Sequence, residues 1–156
     1  MKMYLVTHGN RNFGCDPSLT DKGFEQIADI RVNLLPKIPA PPLVVIGVGR
    51  RFEETYQGLN QSLRDIPMKW SPFSGSGDAL EIDGRIALPG NISVTNDDYI
   101  GMVNNPGFDA WRFISSLPED TLLCSGEELM MALGFESDKG RLYEIDTERR
   151  TCRQVV

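Results

Sequence analysis

Histidine occurs once in 156 residues, and that scarcity bounds the chemistry first. One imidazole cannot fill two catalytic posts, so any site needing a pair of histidines is excluded. Cysteine is also sparse. Cys15, Cys124 and Cys152 form an odd set without Cys-x-x-Cys or Cys/His metal spacing, so they read as reduced cytosolic thiols, and no metal is expected. No phosphate-cradling glycine motif is present, and no organic cofactor is expected. No apolar run approaches the length a membrane crossing needs. The amino-terminal stretch has one lysine and only a brief apolar run, which does not read as a signal peptide. Positive charge is in deficit: the formal net charge is −6 and the pI is about 4.8, so neither nucleic acid nor an anionic membrane is an expected partner. Internal repeats and low-complexity tracts are missing as well. What remains is an ordinary globular composition, read as one cytoplasmic domain over residues 1–156. A chain of this length buries about two-thirds of its unfolded surface.

The patterning predicts strands alternating with helices. Residues 3–7 read as a strand that breaks at Gly9, and Arg11 to Ser18 as a polar loop. Thr20 is a good N-cap for a helix running to about Leu35, with Phe24, Ile27, Ala28, Leu34 and Leu35 near one face. Pro36, Pro39, Pro41 and Pro42 end that helix. Leu43 to Val48 is a continuous apolar run, the mark of a strand covered on both faces. A second helix is expected from Arg51 to Leu63 and a short strand from Ile66 to Trp70. Residues 79–105 mix Gly, Pro, Asn and Asp with short apolar pieces, and are expected to be irregular with one short strand at most. Phe108 to Leu117 and Glu127 to Leu133 suit helices. Thr121 to Ser125, Arg141 to Ile145 and Thr151 to Val155 suit strands, and Met130 and Met131 are both expected in the core. The whole reads as α/β, a three-layer α/β/α sandwich with a mostly parallel central sheet.

The lone imidazole, His8, stands at the carboxyl end of the first strand, where ligands collect in open α/β sheets. Three segments follow in order: Leu5-Val6-Thr7-His8-Gly9, Leu19-Thr20-Asp21-Lys22-Gly23-Phe24-Glu25-Gln26 and Arg51-Phe52-Glu53-Glu54-Thr55. They resemble the Arg-His-Gly, Leu-Thr-x-x-Gly-x-x-Gln and Arg-Ala-x-x-Thr segments of the histidine phosphatase (phosphoglycerate-mutase-like) superfamily. A weaker fourth likeness, Thr121 to Gly126, lies where that family has a strand ending in Ser-His-Gly. The short chain is most similar to the compact phosphohistidine-phosphatase branch. The resemblance implies that a first-motif histidine accepts the phosphoryl group. Two arginines and a second histidine then stabilise the transferring oxygens, and a carboxylic acid from the variable middle protonates the leaving oxygen.

On that resemblance His8 stands for the nucleophile and Arg51 for the second-segment arginine, with Thr7, Arg11, Ser125 and Gly126 completing the phosphate pocket. Glu81 and Asp83 are candidates for the proton donor. Two family positions are changed: Thr7 replaces the first arginine and Gly126 replaces the second histidine, with Glu127 and Glu128 directly after it. Threonine donates one hydrogen bond but brings no charge and no fork. Losing one preorganised oxyanion donor typically lowers the rate by about 10²–10³. The expected protein is therefore a degenerate, catalytically weak or inactive relative that binds a phosphate-type anion or a phosphorylated partner. Arg11 and Arg50 are candidate substitutes for the missing arginine. An active phosphohydrolase using His8 and a ligand-free interaction protein are the alternatives. Plainer roles also exist: His8 as a hydrogen-bonded strand-end residue, and Arg51 as a helix-start residue paired with Glu53 or Glu54.

Overall fold

Short β-branched and aliphatic runs form the central strands, each soon followed by a glycine: Gly9 after the first, Gly49 after the second and Gly126 after the strand that ends at Ser125. The computed structural model describes residues 1–14, 16–71, 80–82, 85–88, 92–94 and 109–156. The strands of the main sheet are β1 (Lys2–Thr7), β2 (Val44–Gly47), β3 (Met68–Ser71), β7 (Leu122–Ser125), β8 (Leu142–Asp146) and β9 (Thr151–Gln154), in the order β3-β2-β7-β1-β8-β9. β3, β2, β7 and β1 run parallel, while β8 is antiparallel to β1 and β9 to β8. Among the described residues the α-helices are α1 (Asp21–Asp29), α2 (Arg50–Leu63), α3 (Ala110–Ser115) and α4 (Glu127–Ala132).

Alternation along β1 shows how the layers form. Met3 and Leu5 join Val45, Leu123, Phe113, Ile114 and Met130 on one side of the sheet. Tyr4 and Val6 join Val44, Ile46, Ile27, Ile30, Leu59 and Leu63 on the other. Two cores separated by one sheet make the α/β/α sandwich expected from the uninterrupted apolar strands. At the antiparallel edge, Glu144 accepts from Arg153 at 2.6 Å and Lys2 at 2.5 Å. The Arg153 bond foremost, with Lys2 behind it, holds its carboxyl below the ordinary range despite opposing desolvation.

Several local expectations need correction. The described residues of the segment 79–105 form three short strands rather than one at most: β4 (Leu80–Ile82), β5 (Arg85–Leu88) and β6 (Ile92–Val94), paired antiparallel in a separate sheet. Strands of three or four residues are too short to show a period against a Gly/Pro-rich background. Glu81 falls within β4, and Asp83 and Cys15 lie outside the described residues. The first helix does not run unbroken to Leu35. α1 passes into a π-helical turn at Ile30–Leu34 and a 3-10 turn at Leu35–Lys37, with Leu35 N–H reaching Ile30 O. Pro36 carries no N–H with which to continue the ladder. Phe24 is 42 % exposed, because Gly23 takes the inward position and the next residue turns about 100° away. Met130 is buried, but Met131 is 71 % exposed.

Candidate functional site

The parallel register brings three strand ends to one edge, since Thr7 lies beside Ser125 and Ile46 beside Cys124. His8 follows directly. Its N–H donates to Ser125 O at 2.9 Å and its carbonyl accepts from Gly140 N at 2.9 Å, so the backbone is held by β7 on one side and by the loop before β8 on the other. The ring Nδ1 lies 2.8 Å from Gly9 O. A carbonyl only accepts, so Nδ1 carries the proton and Nε2 keeps its lone pair in the neutral ring. His8 is 6 % exposed. Burial, reinforced by the charges of Arg51, Lys139 and Arg11 and opposed by the Gly9 bond, pushes its pKa down from 6.5 to about 4. The imidazole is thus neutral at pH 7, with Nε2 a hydrogen-bond acceptor.

The second motif acts on this turn rather than on a ligand. Thr20 accepts from Gly23 N at 3.1 Å as the N-cap of α1, while its own N–H donates to Asn10 O at 2.9 Å. Gln26 Oε1 accepts from Asn10 N at 2.8 Å. Gly9 and Gly23 pack backbone to backbone: a Cβ on Gly9 would stand 2.5 Å from Gly23 O, and one on Gly23 would strike the Asn10 carbonyl. Neither neighbour is a flexible side chain. Gly23→Ala is therefore expected to lower stability by about 1–3 kcal/mol. It should also shift the NMR signals of the His8 ring, since the turn must move. A urea midpoint and a histidine spectrum both unchanged from the parent would refute this.

The third motif opens α2 at Gly49, whose φ of +140° suits glycine. Thr55 Oγ1 donates to Arg51 O at 2.7 Å, which accounts for the Arg-x-x-x-Thr spacing. Glu54 accepts from Leu19 N at 2.9 Å and ties the helix to the loop after β1. The Arg51 guanidinium carbon lies 4.3 Å from the centroid of the Phe52 ring, within cation–π range. Burial lowers the Arg51 pKa, and the nearby Arg11 charge lowers it further against Glu128 and Asp16. Phe52 also meets His8 edge-on, with centroids 5.4 Å apart and planes at 83°. A Cβ on Gly126 would sit 3.2 Å from His8 Cδ2, 3.4 Å from Nε2 and 3.4 Å from Phe52 Cε1. Thus a glycine where the family motif has histidine coincides with an aromatic ring where the motif has alanine.

These residues line a cleft of about 110 Å³, bounded by His8, Arg11, Arg51, Phe52, Gly126, Glu127, Glu128 and Lys139. That is several times the liquid volume of a water molecule, about 30 Å³. Of the residues expected at the pocket, His8, Arg11, Arg51 and Gly126 come together, whereas Thr7 and Ser125 do not line the cleft. Thr7 Oγ1 donates to Asp138 O at 2.6 Å and accepts from Arg141 N at 3.0 Å, so its hydroxyl serves the loop before β8 instead. Ser125 Oγ is buried with no hydrogen-bond partner among the described residues. Arg50 does not line the cleft either; its Nε lies 3.9 Å from Glu54 Oε2. Glu127 is 3.6 Å from Lys139. Sequence reasoning misses Lys139 and Phe52 at the site: Lys139 arrives on a loop more than 130 positions from His8, and nothing in the spacing of the sequence signals that approach. Among the described residues no cluster of His, Cys, Asp and Glu could hold a metal ion, and no helix is long and apolar enough to cross a membrane.

No family model and no curated protein sequence matches the chain. Solved structures do match over its length. A candidate phosphohistidine phosphatase, SixA, from Agrobacterium tumefaciens aligns at 14 % identity and TM-score 0.57, covering 99 % of this chain and 95 % of that one. TTHB049 from Thermus thermophilus aligns at 18 % identity and TM-score 0.61, covering 100 % and 99 %. A candidate alpha-ribazole-5'-P phosphatase from Escherichia coli aligns at 18 % identity and TM-score 0.63, covering 100 % and 95 %. Identities this low speak for architecture, and the chain has the phosphoglycerate-mutase-like α/β fold of the histidine phosphatases.

Proposed function

We propose that the chain is a degenerate histidine-phosphatase-like protein. It binds a phosphate-type anion, or a phosphorylated partner, at the His8 cleft and turns phosphoesters over weakly or not at all. The observation that carries this reading is Gly126, set against the His8 ring edge and Phe52 where a second imidazole would stand. Arg51, Arg11 and Lys139 supply positive charge around the cleft, which suits anion binding. Transfer needs more than binding: donors must strengthen their hold as charge develops, and each one missing lowers the rate by about 10²–10³. Phe52 brings an apolar edge in place of a donor.

A second reading is an active phosphohydrolase, favoured by the His8 Nδ1 contact to Gly9 O, which leaves Nε2 free to attack phosphorus. In that case Arg11 and Lys139 would take over the missing charges. Turnover of p-nitrophenyl phosphate by the parent and His8→Ala separates the two. The degenerate reading expects indistinguishable, near-background rates, together with a melting temperature raised by vanadate or phosphate in the parent and not in Arg51→Ala. A ligand at a hundred times its Kd adds about 2.7 kcal/mol, or roughly 5–11 °C for a domain of this size. Robust turnover lost in His8→Ala would establish the hydrolase instead. Neither turnover nor a thermal shift would leave a ligand-free interaction protein.

A further inference from the structure

The charge around the cleft is nearly balanced, and this limits which anions fit. Among the described residues, three cationic side chains line it: Arg11 from the loop after β1, Arg51 from α2 and Lys139 from the loop before β8. Two carboxylates face them from α4, Glu127 and Glu128. One net positive charge is left. Lys139 is already engaged with Glu127 at 3.6 Å, while Glu128 and Asp16 both act on Arg51. A dianion would thus place its second charge in a half-enclosed site without a counter-charge.

The histidine adds a directional constraint. Nδ1–H is committed to Gly9 O, so Nε2 offers a lone pair. That nitrogen stands near the position a Gly126 Cβ would take, at the cleft wall. An unprotonated phosphate oxygen there meets lone pair with lone pair. A P–O–H group makes a hydrogen bond.

Resting on the anion-binding reading above, we propose that the cleft selects a singly charged oxyacid that retains one acidic proton, such as a phosphomonoester monoanion. Its O–H donates to His8 Nε2, and its unprotonated oxygens face Arg51, Arg11 and Lys139. The ligand class is therefore protonated phosphomonoesters and phosphonates rather than their dianions.

The sole imidazole makes the test unambiguous, because its ring NMR signals need no assignment. Methyl phosphate is titrated at pH 5.5 and pH 8.0 while these signals are followed, with dimethyl phosphate, a monoanion at both pH values, as the control. With a second phosphate pKa near 6, the monoanion fraction falls roughly 75-fold between the two conditions. Methyl phosphate is expected to bind at least tenfold more weakly at pH 8.0, while any dimethyl phosphate affinity changes less than about threefold. Equal or tighter binding of methyl phosphate at pH 8.0 would overturn the proposal and leave anion binding standing. A matching tenfold loss for dimethyl phosphate would overturn it too, since the protein's own titration would then be the cause. No perturbation of His8 by methyl phosphate at either pH would overturn the anion-binding reading itself, and this proposal with it.

Discussion

Replacing Phe52 with alanine is expected to lower folding stability by about 3–5 kcal/mol, the usual range for truncating a buried aromatic ring, and to move the His8 pKa up toward 6.5. Phe52 is 1 % exposed, so truncation leaves a cavity rather than a surface dent. That cavity would open beside the His8 edge contact at 5.4 Å and beneath the Arg51 guanidinium at 4.3 Å. The largest influence holding His8 near 4 is burial, and water entering the vacated volume removes part of it. For a domain of this size the loss corresponds to roughly 6–20 °C in melting temperature. A urea midpoint gives the stability, and a pH titration of the single imidazole by NMR gives the pKa. Phe52→Leu restores most of the volume without the ring, so it should recover stability while losing the edge contact and the cation–π contact. If alanine lowers stability but His8 still titrates near 4, Phe52 is packing alone and does not tune the imidazole.

Why Phe52 is silent in the sequence while His8 and Arg51 are not is a matter of where sequence carries physical signal. His8 directly follows β1 and Arg51 comes four residues after β2, and a parallel sheet places such positions along one edge whatever the intervening chain does. The apolar runs of β1, β2 and β7 are legible because strands covered on both faces read as near-continuous apolar segments, with polar residues only at their ends. Phe52 sits at the first turn of α2, where a single aromatic residue fits an ordinary amphipathic face and announces nothing. Its role depends on Gly126, which lies 74 positions away and across β7. Lys139 is similar, since it reaches the cleft only because β8 returns antiparallel beside β1 and pins Gly140 N to His8 O. Thr7 is expected at the pocket only by analogy with a charged residue. A short hydroxyl cannot span the same gap, and the backbone at Asp138 and Arg141 claims it instead. The glycines of the first two motifs carry a structural meaning that sequence does not separate from a functional one: Gly9 and Gly23 permit two backbones to touch.

Acid is expected to destabilise the protein through His8 before it does so through the carboxylates. In the folded chain the imidazole holds off its proton until about pH 4, whereas unfolding returns it to an ordinary value near 6.5. Above pH 6.5 both states are neutral and the residue contributes nothing to pH dependence. Between 6.5 and 4 the unfolded state binds a proton that the folded state refuses, so stability falls as pH falls. At about 1.4 kcal/mol per pH unit the full effect approaches ~3 kcal/mol near pH 4. Glu144, held low by Arg153 and Lys2, loses its own contribution only as pH drops through its depressed range. That loss is common to the parent and to His8→Gln, so it cancels in their difference. The stability of His8→Gln relative to the parent should therefore rise by about 2–3 kcal/mol between pH 7.5 and pH 4.5, measured by urea denaturation at matched ionic strength. A difference that stays flat across this window would mean that His8 titrates alike in both states. The ring would then be largely protonated at pH 5.5, and the acceptor nitrogen on which the ligand class depends would be missing there. An anion bound through a P–O–H group makes a further demand on the same ring: it must leave the imidazole neutral, so its stabilising effect should persist at pH 5.5 without adding a second proton to the complex.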